Sequence, residues 1–173
     1  MRYKFLSVLA AVALLAACET APESSGTAQS SGGSSTTANS NSASTAMVQI
    51  PAGSQEDLVV NVGDRVFFGF DSADLTAESR AALEKQAAWM KKFGGVRVVL
   101  EGHCDERGTR EYNLALGERR ANAAKDYLVA LGVNPARVKT ISYGKERPAA
   151  LGHNEAAWAQ NRRSVTVVDS TGS

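Results

Sequence analysis

Between residues 101 and 113 the chain reads EGHCDERGTREYN, which gathers His103, Cys104, Glu101, Asp105, Glu106 and Arg107 around two glycines. Three chemistries suit such a set: a thiolate with its base, a metal site, or a pocket that only holds a ligand. Adjacent residues leaving a strand point to opposite sides, so His103 and Cys104 do not form a nucleophile–base pair. The only other histidine is His153, far along the chain. His103, Cys104 and Asp105 also lack a ligand spacing such as CxxC or HxxxH. No catalytic residue and no metal ligand is assigned, and Cys104 reads as a small, part-buried residue at a strand end.

The ligand-holding chemistry needs less. Asp105 lies in a glycine-flanked loop just ahead of a helix beginning near Arg110. On that helix Asn113, Leu116 and Arg120 fall on one side at three- and four-residue spacing. A carboxylate can take an ammonium group, while an arginine and the free N–H groups of a helix start can take a carboxylate. Together they suit a zwitterion, the amino-acid end of a larger molecule. The competing arrangement is an Asp105–Arg120 salt bridge that ties loop to helix, and local chemistry alone favours it. Arg107, Arg110 and Glu111 read as a solvated rim, with Tyr112 and Asn113 holding the helix start and packing on the sheet. Trp89 and Trp158 read as core or half-core positions.

These residues need elements to position them. RVFFGF (residues 65–70) reads as a strand ended by polar DSAD, in which Asp74 reads as a turn cap. TAESRAALEKQAAWMKKF follows as a helix, with Thr76 as N-cap, Glu78 in the first turn, and Lys91, Lys92 and Gly94 closing it. VRVVLEG is a near-continuous apolar run and so a central strand. In the next helix Leu114, Gly117, Ala121, Ala124, Leu128 and Leu131 form one apolar stripe. VNPARVKTISYG supplies a turn and a third strand, and NEAAWAQNRR a short helix. SVTVV is a last strand with Val165 and Val167 on one face. The order β-α-β-α-β-(α)-β predicts a two-layer α/β (α+β) sandwich with helices on a mixed sheet, because one late connection is short.

The N-terminus places this domain. MRYKFLSVLAAVALLAACET has basic Arg2 and Lys4, then an apolar run too short to remain as a membrane-spanning helix, which is the pattern of a secretory signal over residues 1–17. Leu15-Ala16-Ala17-Cys18 resembles the lipobox of bacterial lipoproteins, in which the cysteine takes a diacylglycerol and becomes the new N-terminus. Several acyl chains anchor stably, since each buried CH₂ contributes about 0.8 kcal/mol. Glu19 in place of an aspartate points to the outer membrane. Residues 18–56 then comprise the lipidated cysteine and a Ser/Gly/Thr-rich linker, and residues 57–173 the folded domain. From Glu19 to Ala46 no aromatic or large aliphatic residue occurs, so that stretch cannot offset the cost of ordering it. As a random coil it spans about 30 Å, and roughly 95 Å when stretched. Removing the signal turns 19 basic against 18 acidic residues into 17 against 18, a formal −1, which is not the footprint of a nucleic-acid binder.

GHCDERGTREYNLALGERRANAAKDYL closely resembles the signature of OmpA-like peptidoglycan-binding domains, and within them that of the peptidoglycan-associated lipoproteins. The similarity extends from FFGFDSADLT through SYGKERPAALGHNEAAWAQNRR, nearly the whole folded region. The resemblance implies noncovalent binding of the meso-diaminopimelate of the peptidoglycan stem peptide. It makes Asp105 and Arg120 ligand contacts in place of the local salt bridge, joined by Asp71, Phe70 and Leu116. Many relatives have threonine where Cys104 stands, so a hydroxyl contact there would be lost or weakened. Asn161, Arg162 and Arg163 match the closing motif, with a structural ion-pair role at least as well supported as ligand contact. The partners implied are peptidoglycan, TolB and other Tol proteins, and no nucleic acid. The location implied is the outer membrane, reached through the lipid on Cys18, with the domain facing the periplasm. No cofactor beyond that lipid is implied. Alternatives are a wall-binding lipoprotein of the same fold outside the Tol complex, or a periplasmic wall hydrolase.

Overall fold

The computed structural model describes residues 49–169. The signal peptide, the Cys18 lipidation site and nearly all of the linker lie outside the described residues. A short helix that the sequence pattern did not disclose comes first: α1 (Gln55–Asp57), capped by the Ser54 hydroxyl and continued by a π-helical turn, Leu58–Val62. It is tied to the next helix by the Trp89 indole, which donates to the Asp57 carboxylate at 2.9 Å, and by Leu58, which is fully buried. Trp89 is thereby a core residue, as its helical position suggested.

β1 (Arg65–Phe67) is shorter than the expected Arg65–Phe70. Its last ladder bond runs from the Phe68 N–H to the Arg162 carbonyl at 2.9 Å, after which the carbonyls of Phe68 and Gly69 turn to the side chains of Arg162 and Arg120. α2 (Ala77–Lys92) starts where Thr76 accepts the Ser79 N–H and ends with Lys91 and Lys92 in its last turn, complementing the helix dipole. β2 (Val98–His103) leads through the loop to α3 (Arg110–Ala130), capped by Thr109. A 3₁₀ turn (Pro135–Arg137) leads to β3 (Val138–Gly144), then come α4 (Glu155–Asn161) and β4 (Arg163–Val168).

The strand order is β1-β4-β2-β3. β2 and β3 are parallel, joined by the α3 crossover, while β4 follows α4 directly and inserts antiparallel between β1 and β2. The mixed sheet under a helical layer is the expected two-layer arrangement. Its core joins Val66, Phe68, Val98, Leu100 and Val138 to Leu83, Met90, Ala121, Ala124 and Leu128 of the helices.

Two details depart from the apolar pattern. Val165 and Val167 do share a face, but it is the one turned away from the helices. The inward places on β4 are taken by Ser164 and Thr166. Thr166 is accommodated because its hydroxyl donates to Gln86 at 2.8 Å, and Gln86 in turn donates to the Gly63 carbonyl. Leu114 is 49% exposed and lies off the buried stripe, which instead runs through Asn113, Leu116, Gly117 and Arg120. The rotation follows from the closest contact between the layers. A Cβ on Gly102 would sit 1.8 Å from the Gly117 carbonyl oxygen, so α3 rests its backbone directly on β2. That contact brings the start of α3 onto the end of β2.

Candidate functional site

The loop from Cys104 to Gly108 is held from several sides. The Cys104 N–H continues the ladder to the Gly144 carbonyl at 2.8 Å, and the Asn113 amide donates to the carbonyls of Arg107 and Thr109. Lys145 reaches across from the end of β3 to the carbonyls of Glu106 and Gly108. The Glu106 carboxylate accepts from the Trp158 indole and from the His153 ring, and these bonds hold it below the ordinary carboxylate range. Gly108, at φ +92°, makes the turn into the Thr109 cap.

Facing this loop is the segment after β1. Asp71 is the one non-glycine residue with positive φ among the described residues, at +52°. Its carboxylate accepts the Tyr112 hydroxyl, and this bond raises the tyrosine pKa. Tyr112 is therefore a partner of Asp71 across the site and does not pack on the sheet. Asp74 lies in a turn whose capping group is the Ser72 hydroxyl.

Arg120 staples the two segments together. Its Nε donates to the Ser72 carbonyl at 2.8 Å, Nη1 to His103 at 2.9 Å, and Nη2 to Gly69 at 3.0 Å. The side chain is 0% exposed, and burial lowers its pKa. Among the described residues it makes no ion pair, and the Asp105–Arg120 salt bridge is absent. Asp105 is held instead by Arg107, Nε to Oδ1 at 3.1 Å and Nη2 to Oδ2 at 2.6 Å, with Arg162 at 3.4 Å from Oδ2. Burial pushes the Asp105 carboxyl up, but these hydrogen bonds outweigh it and leave the pKa lowered.

Phe70, Asp71, Asp105, Leu116 and Arg120 all line one cavity of about 140 Å³, together with Cys104, Arg107, Gly108, Tyr112 and Asn113. Phe70 stands 62% exposed at its edge, and Leu116 is buried at its base. The expectation of Arg107 as a solvated rim residue is overturned. Its guanidinium is sandwiched between the rings of Phe70 and Trp158, 4.0 and 4.1 Å from their centroids. Arg110, paired with Glu146 in solvent, does belong to the rim. Trp158, read from the sequence as core or half-core, reaches the loop from α4, a placement that local spacing does not disclose. Arg162 joins through an ion pair with Asp105 and another with Glu155 at 2.6 Å.

His103 and Cys104 are separated by the sheet. Cys104 faces α3, where its thiol donates to the Asn113 carbonyl, and burial pushes its pKa up, away from thiolate. His103 shares the opposite face with Glu101 and stacks on Tyr143.

The family model of the OmpA family matches residues 67–162. A peptidoglycan-associated lipoprotein of Rhizobium meliloti is 55% identical over 121 residues, spanning 70% of this chain and 69% of that one. Another, of Pseudomonas aeruginosa, is 61% identical over 97 residues, 56% and 57% of the two chains. The crystal structure of the peptidoglycan-associated lipoprotein from Burkholderia pseudomallei superposes with a TM-score of 0.60 at 45% identity, covering 61% of this chain and 90% of that one. With more than half its length matched by the family model and relatives this similar along the same stretch, the chain belongs to the OmpA family, among the peptidoglycan-associated lipoproteins.

Proposed function

We propose that the domain binds peptidoglycan noncovalently, by taking the zwitterionic end of stem-peptide diaminopimelate into the Asp71–Asp105–Arg120 cavity. One observation carries the reading. Arg120 is a fully buried guanidinium whose hydrogen bonds run to three backbone carbonyls, and it borders a cavity that also holds two carboxylates. Neither carboxylate forms a direct ion pair with it, and a ligand carboxylate would supply one while Asp71 or Asp105 takes the ammonium. The names of the relatives point the same way.

The site holds its ligand and turns nothing over. The buried, protonated Cys104 and the oppositely directed His103 do not make a nucleophile and base. The lipobox at Cys18 and the linker after it complete the reading: lipid in the outer membrane, wall in the periplasm, slack chain between. In this role the protein joins TolB and the other Tol proteins in envelope integrity and constriction during division.

Sacculus co-sedimentation tests the site. Asp105→Asn and Arg120→Ala are each expected to weaken retention by roughly tenfold or more, and wild-type retention by both refutes the assignment. Release of muropeptides from purified sacculi would make the protein a hydrolase instead. Failure to retain TolB at micromolar concentration would place it outside the Tol complex.

A further inference from the structure

The reading above gives the ligand's ammonium group to Asp71 or Asp105, and Asp105 is not open. Its Oδ1 accepts the backbone N–H and the Nε of Arg107, both at 3.1 Å. Its Oδ2 accepts Arg107 Nη2 at 2.6 Å and Arg162 Nη1 at 3.4 Å. Four N–H donors fill the acceptor capacity of a carboxylate. Arg162 is buried and anchored by the Phe68 carbonyl and Glu155, so it cannot leave. Arg107 can, because it projects from a loop with its side chain 31% exposed and rests on two aromatic rings that would still support it after a small swing.

We propose that Arg107 determines ligand charge type: it occupies Asp105 as an internal stand-in for the ammonium, and gives way only to a ligand that brings a carboxylate for Arg107 itself. This rests on the proposed function and deepens it. The exchange breaks the Arg107–Asp105 pair. The ligand ammonium takes Asp105, and the displaced guanidinium, still over Phe70 and Trp158, shares with Arg120 the carboxylate on the same ligand carbon. Glu155 is a poor substitute for that anion, since Arg162 holds its Oε1 at 2.6 Å and Arg107 reaches only its Oε2, at 4.0 Å. A ligand end with an amine alone breaks the internal pair and leaves Arg107 that one long ion pair. A zwitterionic end satisfies both groups. The planar fork matters, because a lysine offers neither the two parallel hydrogen bonds nor the flat stack.

Two synthetic stem tripeptides test this, one ending in meso-diaminopimelate and one in L-lysine, which lacks only the distal carboxylate. Calorimetric titration of the intact protein is expected to favour the diaminopimelate peptide by about tenfold or more. In Arg107→Gln the preference is expected to fall below roughly threefold, with the lysine peptide binding more tightly than to wild type because Asp105 is freed. Arg107→Lys, which keeps the charge without the fork, is expected to lose preference as well. An unchanged preference in Arg107→Gln, or equal loss of both peptides, overturns the role of Arg107 while leaving the site assignment standing. Absence of wild-type binding to either peptide overturns the proposed function and this inference with it.

Discussion

His103 makes the pH dependence of stability a test of how the site is built. Its ring is 1% exposed, stacked on Tyr143 of β3, and neither ring nitrogen has a hydrogen-bond partner. Glu101 on the same strand lies 3.6 Å from Nε2. Burial, with the positive charges of Arg163 on β4 and Arg147 after β3, lowers the pKa from 6.5 to about 4. The folded protein resists a proton that the unfolded chain accepts below its ordinary value, so stability is highest above pH 6.5 and declines as pH falls toward 4. The difference between 6.5 and about 4 corresponds to about 3 kcal/mol in full, of which about 2 kcal/mol is lost by about pH 5. The carboxylates with lowered pKa (Asp57, Glu78, Asp105 and Glu106) contribute stability that falls away below the ordinary carboxylate range, equally in wild type and in a variant at His103. Urea unfolding of wild type and His103→Phe, at several pH values between about 8 and about 4, isolates the effect, since phenylalanine keeps the stack and loses the proton site. Wild type is expected to lose about 2 kcal/mol more than the variant by about pH 5. Parallel profiles for the two proteins refute the argument that a neutral, buried His103 supports the strand whose carbonyl holds Arg120.

Gly102→Ala is expected to abolish cooperative unfolding or cost more than about 3 kcal/mol, because the new methyl group falls on the Gly117 carbonyl and neither backbone can yield without unseating α3. Thermal melting by circular dichroism checks it, and a melt within a few degrees of wild type speaks against direct backbone contact. Cys104→Ala is expected to leave sacculus retention within about twofold of wild type, since the buried thiol donates to the Asn113 carbonyl of α3. In the native protein the Cys104 thiol should resist a disulfide reagent that labels it promptly in urea, and rapid native labelling would contradict its burial.

Much of the fold was legible because local signals agreed with the final packing. Thr76 was visible as a cap and accepts the Ser79 N–H of its first turn, and the helix expected to begin near Arg110 does begin there. The short approach to β4 implied an antiparallel strand, and hence a mixed sheet. What escaped was set by distant partners. The helix α1 is held by Trp89, 32 residues away, and β4 turns polar residues inward because Gln86 waits there. Leu114 was placed in the stripe by its apolar type. A buried arginine and two contacting glycines turned the helix instead.

The site divides along the same line. Asp105 and Arg120 stood out by type and position, but a salt bridge between them and a shared ligand look alike at the level of spacing. The structure removes the direct salt bridge by showing where each side chain spends its hydrogen bonds. Arg120 spends them on three carbonyls and Asp105 on two other arginines, so neither charge satisfies the other. Arg107 lay in the motif all along and read as rim, because an exposed loop arginine two residues from an aspartate has no local reason to be ordered. Its reason is nonlocal: Phe70 from one side of the fold and Trp158 from the other close on it. A pocket that selects a zwitterion has to keep its own charges from neutralising each other while empty. Here each charge has an internal partner, carbonyls for the cation and a guanidinium for the anion, and in the proposed exchange the ligand displaces only the second.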